Sequence, residues 1–221
     1  MQALLDNLDA LLAGFWLTIK LAVVSGIGSL LVGTMLAAMR VSPVPVLRSA
    51  GGTYVTLMRN TPLTLVIFFC AFGLGANLGL EFSDTITTNI FWLSIVGLVA
   101  YTSAFVCEAI RSGINTVPLG QAEAARSIGL TFTQSLGIVV LPQAFRSVIA
   151  PLGSVFIALT KNTTIAATIG VGEAAGVMRD LIEFESEVFW IFAGVAAGFV
   201  ALTLPMGLAF GWFARRVAVL R

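Results

Sequence analysis

The chain contains no histidine. That absence removes Ser-His-Asp and Cys-His nucleophilic catalysis, histidine-ligated metals and most general-base schemes together. Charge is scarce too: charged residues make up 10% of the sequence, against about 25% in an ordinary soluble domain. A net charge of +1 leaves no basic footprint for a nucleic acid. The two cysteines, Cys70 and Cys107, both fall inside apolar runs. They read as buried thiols, not as a disulfide framework or a zinc site. No G-x-x-x-x-G-K-[ST] phosphate loop occurs, so the chain has no means of hydrolysing ATP itself. No catalytic residue and no metal site are expected. The opening MQALLDNLDALLAGFW is acidic and lacks the basic start of a secretory signal, so the first apolar segment reads as a retained membrane helix.

What is abundant is apolar surface. The 221 residues are 58% hydrophobic, with a mean hydropathy of +1.00. That much apolar surface needs an apolar solvent, which predicts an all-α polytopic membrane protein of the cell membrane, in contact with lipid. Five segments are long enough to cross a bilayer, at about 20 residues each: roughly 15–38, 54–75, 89–109, 147–168 and 188–212, forming a single transmembrane domain over 1–221. Between the third and fourth, the stretch 112–146 is more polar and carries Pro118, Gly120, Gly129 and Pro142. Irregular chain cannot sit in hydrocarbon, so this stretch and the acidic 169–187 belong at the interfaces. Arg40, Arg48, Arg59, Arg111, Arg126, Arg146, Arg215, Arg216 and Arg221 fall on one side, and Arg179 is the basic residue of the opposite loops. Basic excess marks the cytoplasm. The N-terminus is therefore expected outside, the C-terminus inside, and 112–146 in the cytoplasm. The outer loops hold Glu81, Asp84, Glu173, Asp180, Glu183, Glu185 and Glu187.

Local signals shape the cytoplasmic stretch. Thr116 or Asn115 can cap a helix with Pro118 in its first turn, covering Leu119 to Ile128. Gly129 is placed to end it in a left-handed conformation, and Thr131 with Gln134 fits a capping box for a second helix. The result is a helical knob whose small residues Ala122, Ala124 and Ala125 permit close approach to a partner, with Glu123 and Arg126 as polar register marks.

These residues carry a resemblance. Glu123-Ala124-Ala125, Gly129, and then Val139 and Leu141-Pro142 resemble the EAA loop of binding-protein-dependent ABC importer permeases, with valine at 139 where isoleucine is usual. Glu173-Ala174-Ala175 repeats the letters but has Arg179 where the glycine belongs. The resemblance implies the type I importer permease fold, with a coupling helix that docks on the ATPase. Gly120, Ala122, Glu123, Ala124, Ala125, Arg126 and Gly129 are then the coupling residues. It further implies two ATP-binding subunits, a second permease subunit (the same or a related chain) and an extracytoplasmic substrate-binding protein. ATP and magnesium would sit on the ATPase partners, leaving this chain non-catalytic and without a cofactor of its own. Gly14 to Thr18, Tyr54 to Leu63 (with Asn60 where glycine is commoner), Glu108 to Ile114, Leu141 to Ala144 and Lys161-Asn162-Thr163 resemble the polar amino-acid branch, and most of all the permeases of actinobacterial glutamate uptake.

Charges inside a membrane are costly, about 2.5–3.5 kcal/mol on insertion scales, and mark function by default. Lys161 in the fourth segment, with Asn162, Thr163 and Thr164, is a candidate lining of the substrate pathway. So are Arg59, Thr61 and Pro62 in the second, although Arg59 also fits an interfacial anchor or ion-pair partner. Lys20 reads as snorkelling to the outer interface. Pro62 and Pro205 interrupt helices, and Pro151 lies near the start of the fourth segment. Gly194, Gly198, Gly207 and Gly211 offer close helix packing. The segment 169–187 sets Val177, Met178, Leu181, Ile182 and Phe184 against acids, as an interfacial helix or a seat for the binding protein. Two other readings stay open: a carrier driven by an ion gradient, and an ABC permease for a different small solute.

Overall fold

The computed structural model describes residues 2–184 and 188–217, without the side chains of Ala3 and Phe184. Glu185, Glu187 and Arg221 lie outside the described residues. Among these the protein is helical throughout: α1 (Gln2–Asp6), α2 (Leu8–Val41), α3 (Pro45–Asn60), α4 (Leu63–Phe68) running into a π-helical stretch (Phe69–Asn77), α5 (Ile86–Asn115), α6 (Leu119–Ser127), α7 (Phe132–Gln134), α8 (Leu141–Asn162), α9 (Ala174–Phe184) and α10 (Val188–Val217).

Four helical stretches are long and apolar enough to cross a bilayer, and a bent pair brings the number to five. That pair corrects the expected span over 54–75. Pro45–Asn60 and Leu63–Asn77 meet at 107°, because Pro62 cannot continue the preceding helix and instead starts α4. The fourth span is also longer than expected. A second turn of helix begins at Phe132, widens through Ser135–Val140 and joins α8, so that Phe132–Ile169 is one span of 38 residues rather than one beginning at 147. Pro142 has no N–H for Ile138 and its ring crowds that turn, and the backbone relaxes there into the wider π geometry. Pro151 is consequently interior to α8, not near its start. α10 runs through Pro205 unbroken.

Lipid supplies no hydrophobic drive between helices, so membrane packing depends on small residues that let backbones approach. On α2, Ser25, Ser29, Gly33 and Ala37 fall four apart and all are buried. A Cβ added at Gly33 would stand 2.6 Å from the Val106 Cβ and 2.8 Å from the Ser103 carbonyl of α5. One buried cluster joins Leu21, Leu63, Ile67, Ile95, Leu98 and Leu159. A second joins Leu36, Ala37, Val55, Ala104 and Cys107. Both cysteines are buried and unpaired. Of the four glycines of α10, Gly194 sits against Leu4 and Gly198 against Phe15.

Candidate functional site

Three places carry the chemistry-bearing residues, two at one end of the bundle and one further into it. The first is the α6 hairpin. Pro118 occupies the position before α6 rather than its first turn. Thr116 does not cap α6 either: it ends α5, donating from its hydroxyl to the Gly113 carbonyl at 2.7 Å. Gly129 has φ +92°, and the bend is closed by Leu130 N–H on the Ala125 carbonyl at 3.2 Å and Gly129 N–H on the Arg126 carbonyl at 3.0 Å. That is the paired pattern of a left-handed helix ending. Thr131 and Gln134 form the reciprocal capping box. The exposed surface differs from expectation. Ala125 packs inward and Ala122 is half-buried, while Gly120, Glu123, Ala124 and Arg126 are exposed. Leu119 and Ile128 are each 80% exposed and Phe132 is 61% exposed. Large apolar side chains in the open on a polar hairpin mark a protein contact.

The second place is an ionic cluster at the same end. Glu108 of α5 accepts from Arg40 at the end of α2 and from Arg111 Nη2 at 3.3 Å. Arg59 Nη1, from the last turn of α3, reaches the same carboxylate at 3.8 Å, with its guanidinium 5.9 Å from the centre of the Phe105 ring. Thr61 and Pro62 sit at the break beside it, and the Thr61 hydroxyl is spent on the Leu57 carbonyl. Sequence reasoning treated Arg59 alone and missed Glu108 as a centre. The signal available was the Glu-x-x-Arg spacing of Glu108 and Arg111 on one helical face.

The third place lies further along α8, within the bundle. Lys161 is exposed, Asn162 half-buried and Thr163 buried. Thr163 and Thr164 return their hydroxyls to the Thr160 and Lys161 carbonyls, which leaves Asn162 and Lys161 as the groups able to meet a ligand. Asn162 lines a cavity of about 290 Å³ with Tyr101, Thr102, Phe105, Ser154 and Ala158, between α5 and α8. Lys161 and Arg59 are therefore not assembled into one site; Phe105, shared by cavity and cluster, links the two regions.

Glu173, one of the acids expected in the outer loops, does not face solvent. It is fully buried, at the start of α9. Its Oε1 accepts from the backbone N–H groups of Ala175 and Gly176, each at 3.0 Å, and its Oε2 from the Thr18 hydroxyl of α2 at 3.1 Å. Burial pushes the carboxyl above its ordinary range, and these three donors pull it back in part. Gly14 lies against Val177 and Ala174, so α9 is riveted to α2. Arg179 donates to the Ala167 carbonyl at 2.8 Å. Val177, Met178, Leu181 and Ile182 are half-buried while Asp180 and Glu183 are exposed.

Comparison with known proteins places these features in a family. Residues 29–219 match the model described as binding-protein-dependent transport system inner membrane component. The glutamate transport system permease protein GluC of Corynebacterium efficiens is 55% identical over 216 residues, covering 95% of each chain. The probable glutamine ABC transporter permease protein GlnM of Bacillus subtilis is 37% identical over 215 residues, 97% of this chain and 96% of that one. A crystal structure of an amino acid ABC transporter with histidines superposes with a TM-score of 0.88 at 26% identity, over 97% of both chains.

Proposed function

This chain belongs to the binding-protein-dependent transport system inner membrane components, and we propose that the cargo it passes is glutamate or a closely related polar amino acid. It is a multi-pass protein of the bacterial inner membrane and the permease of an amino-acid ABC importer, a component that works with ATPase and substrate-binding partners. The finer assembly extends this reading: two ATPase subunits holding ATP and magnesium, a second permease subunit, a catalytically inert role for this chain, and an N-terminus outside. High identity over nearly the whole length of the glutamate permease relative supports the cargo.

The observation that carries the mechanism is the joining of the hairpin to the fourth span. α7 passes without a break into α8, so Phe132–Ile169 is one rod of about 57 Å at about 1.5 Å per residue. Exposed Leu119, Ile128 and Phe132, with Glu123 and Arg126 between, seat α6 and its bend in a groove of the ATPase. Closure of the ATPase pair displaces the hairpin, and the rod carries that displacement along its length to Lys161 and Asn162. The cavity between α5 and α8 then opens to alternate sides. Asn162 offers a donor and an acceptor to the substrate, and Lys161 faces its carboxylates. The α9 segment, held to α2 through Glu173, is the seat offered to the loaded binding protein.

Reconstitution with the partner ATPase and binding protein tests the cargo. Labelled glutamate should enter in an ATP-dependent manner, with aspartate and glutamine competing and arginine not. Preferential uptake of arginine, or of no amino acid, would overturn it.

A further inference from the structure

The ionic cluster does not balance. Three guanidiniums, from Arg40, Arg59 and Arg111, converge on the single carboxylate of Glu108. Among the described residues no other carboxylate pairs with them, so two positive charges remain over. The donor count is as uneven. Each guanidinium brings five N–H donors, while a carboxylate offers about four acceptor positions. Arg111 Nε is buried with no partner at all, although its side chain as a whole is 38% exposed; that of Arg59 is 48% exposed. The other donors of these two part-exposed side chains are thus accessible from outside the bundle, whereas Arg111 Nε is not.

The depth of the cluster says what kind of anion would meet it. Arg40 lies about 30 Å along α2 from Lys20, at about 1.5 Å per residue, which is the thickness of the hydrocarbon core. Lys20 stacks back over Trp16 at 5.5 Å, and the Phe91–Trp92 pair of α5 stands a similar distance from Arg111, as interfacial aromatics do. Arg40 and Arg111 therefore lie where hydrocarbon gives way to headgroups. Arg59 rides on α3, which turns 107° from the stretch that enters the bilayer and exposes Val46, Leu47 and Leu57 together with Arg48. An amphipathic helix of that kind lies in the interfacial plane.

We infer that Arg59 and Arg111, organised by Glu108 and Arg40, form a binding site for a phosphate-bearing anion, filled by the headgroup of an anionic phospholipid of the leaflet on the hairpin side. Guanidiniums suit the ligand, since they grip phosphate oxygens in pairs. Basic pockets between membrane helices recognise such headgroups by this chemistry. The site lies beside the α3–α4 break, so an occupied site also braces the bend.

Native mass spectrometry of the full-length chain tests this. Wild type, Arg59→Gln, Arg111→Gln and the double variant are titrated with phosphatidylglycerol or phosphatidylcholine, with and without inorganic phosphate. Wild type should retain phosphatidylglycerol in preference. That preference should fall about fivefold for each guanidinium removed and persist in the presence of inorganic phosphate. Displacement of the lipid by inorganic phosphate would support the anion site with a soluble ligand as its source. Equal retention of both lipids by wild type, or an undiminished preference in the double variant, would overturn the inference. Thermal melts confirm that each variant is folded. Should Arg111→Gln not fold, Arg59→Gln carries the test alone, because Arg59 is half-exposed and reaches Glu108 only at 3.8 Å.

Discussion

Replacing Glu173 separates two contributions that one side chain makes at once. Its Oε1 holds the N–H groups of Ala175 and Gly176 at the start of α9. Its Oε2 faces Thr18, whose oxygen also accepts from Ala174 N–H at 3.2 Å. In Glu173→Ala two helix N–H groups, one buried and one half-buried, lose their acceptor. At about 1.5 kcal/mol each, near the middle of the range for an orphaned buried donor, the loss is about 3 kcal/mol. On a scale of about 2–4 °C per kcal/mol for a chain of this size, melting should fall by about 6–12 °C. Glu173→Gln behaves differently. The amide oxygen keeps both N–H groups, and the amide nitrogen donates to Thr18, whose hydroxyl hydrogen then goes to the Gly14 carbonyl at 3.2 Å. The pH dependence has a definite sign. Burial raises the Glu173 carboxyl in the folded protein, so its stabilising contribution is complete below the unfolded value and is lost as pH rises through the raised folded value. The glutamine variant should therefore melt above wild type at pH 8, and the two should converge on acidification. Thermal melts of the purified protein in detergent at pH 8 and pH 5 supply the readout. An alanine variant that melts with wild type, or a glutamine variant as damaged as the alanine one at both pH values, would refute the reasoning.

Other perturbations follow from the same geometry. Gly33→Val should separate α2 from α5, since even a Cβ would press on the Ser103 backbone; the expected cost is about 1–3 kcal/mol, seen as a lower melting temperature, whereas Gly52→Ala, inside α3 with open space around it, should raise stability by about 0.5–1 kcal/mol. Gly129→Val places a β-branched residue at φ +92° at a cost of about 1–2 kcal/mol; it should lower ATPase stimulation by the loaded binding protein while leaving the four long spans folded. Lys161→Met should weaken glutamate uptake about tenfold or more with assembly intact, and unchanged transport and affinity would exclude Lys161 from the pathway.

Much of this architecture was legible because single residues dictate it. Gly129, Thr131 and Gln134 specify a bend and a cap whatever surrounds them, and the arginine bias separated the two ends of the bundle. Hydropathy blurred what tertiary context decides. The run through 54–75 is apolar on both sides of Pro62, so a window average merges α3 with α4, although the proline forbids it. The fourth span began early because the helix capped at Thr131 runs on through the apolar residues 136–141 into α8. The burial of Glu173 was not legible, because nothing local reveals that Thr18, far away in the chain, comes to meet it. Glu108 was visible only as part of a motif, since its role depends on three arginines from separate helices. The α2 stripe of Ser25, Ser29, Gly33 and Ala37 was present as a four-residue period and could have been found by that spacing.

On the proposed mechanism, this chain moves its substrate only when an ATPase acts on the α6 hairpin. Proteoliposomes containing the chain alone, or the chain with its ATPase and binding protein, can be loaded with ATP or with an ion gradient and assayed for labelled glutamate uptake. Uptake is expected only in the complete system with ATP, and should be lost when Leu119 and Ile128 are both changed to aspartate. Gradient-driven uptake by the chain alone would contradict that mechanism.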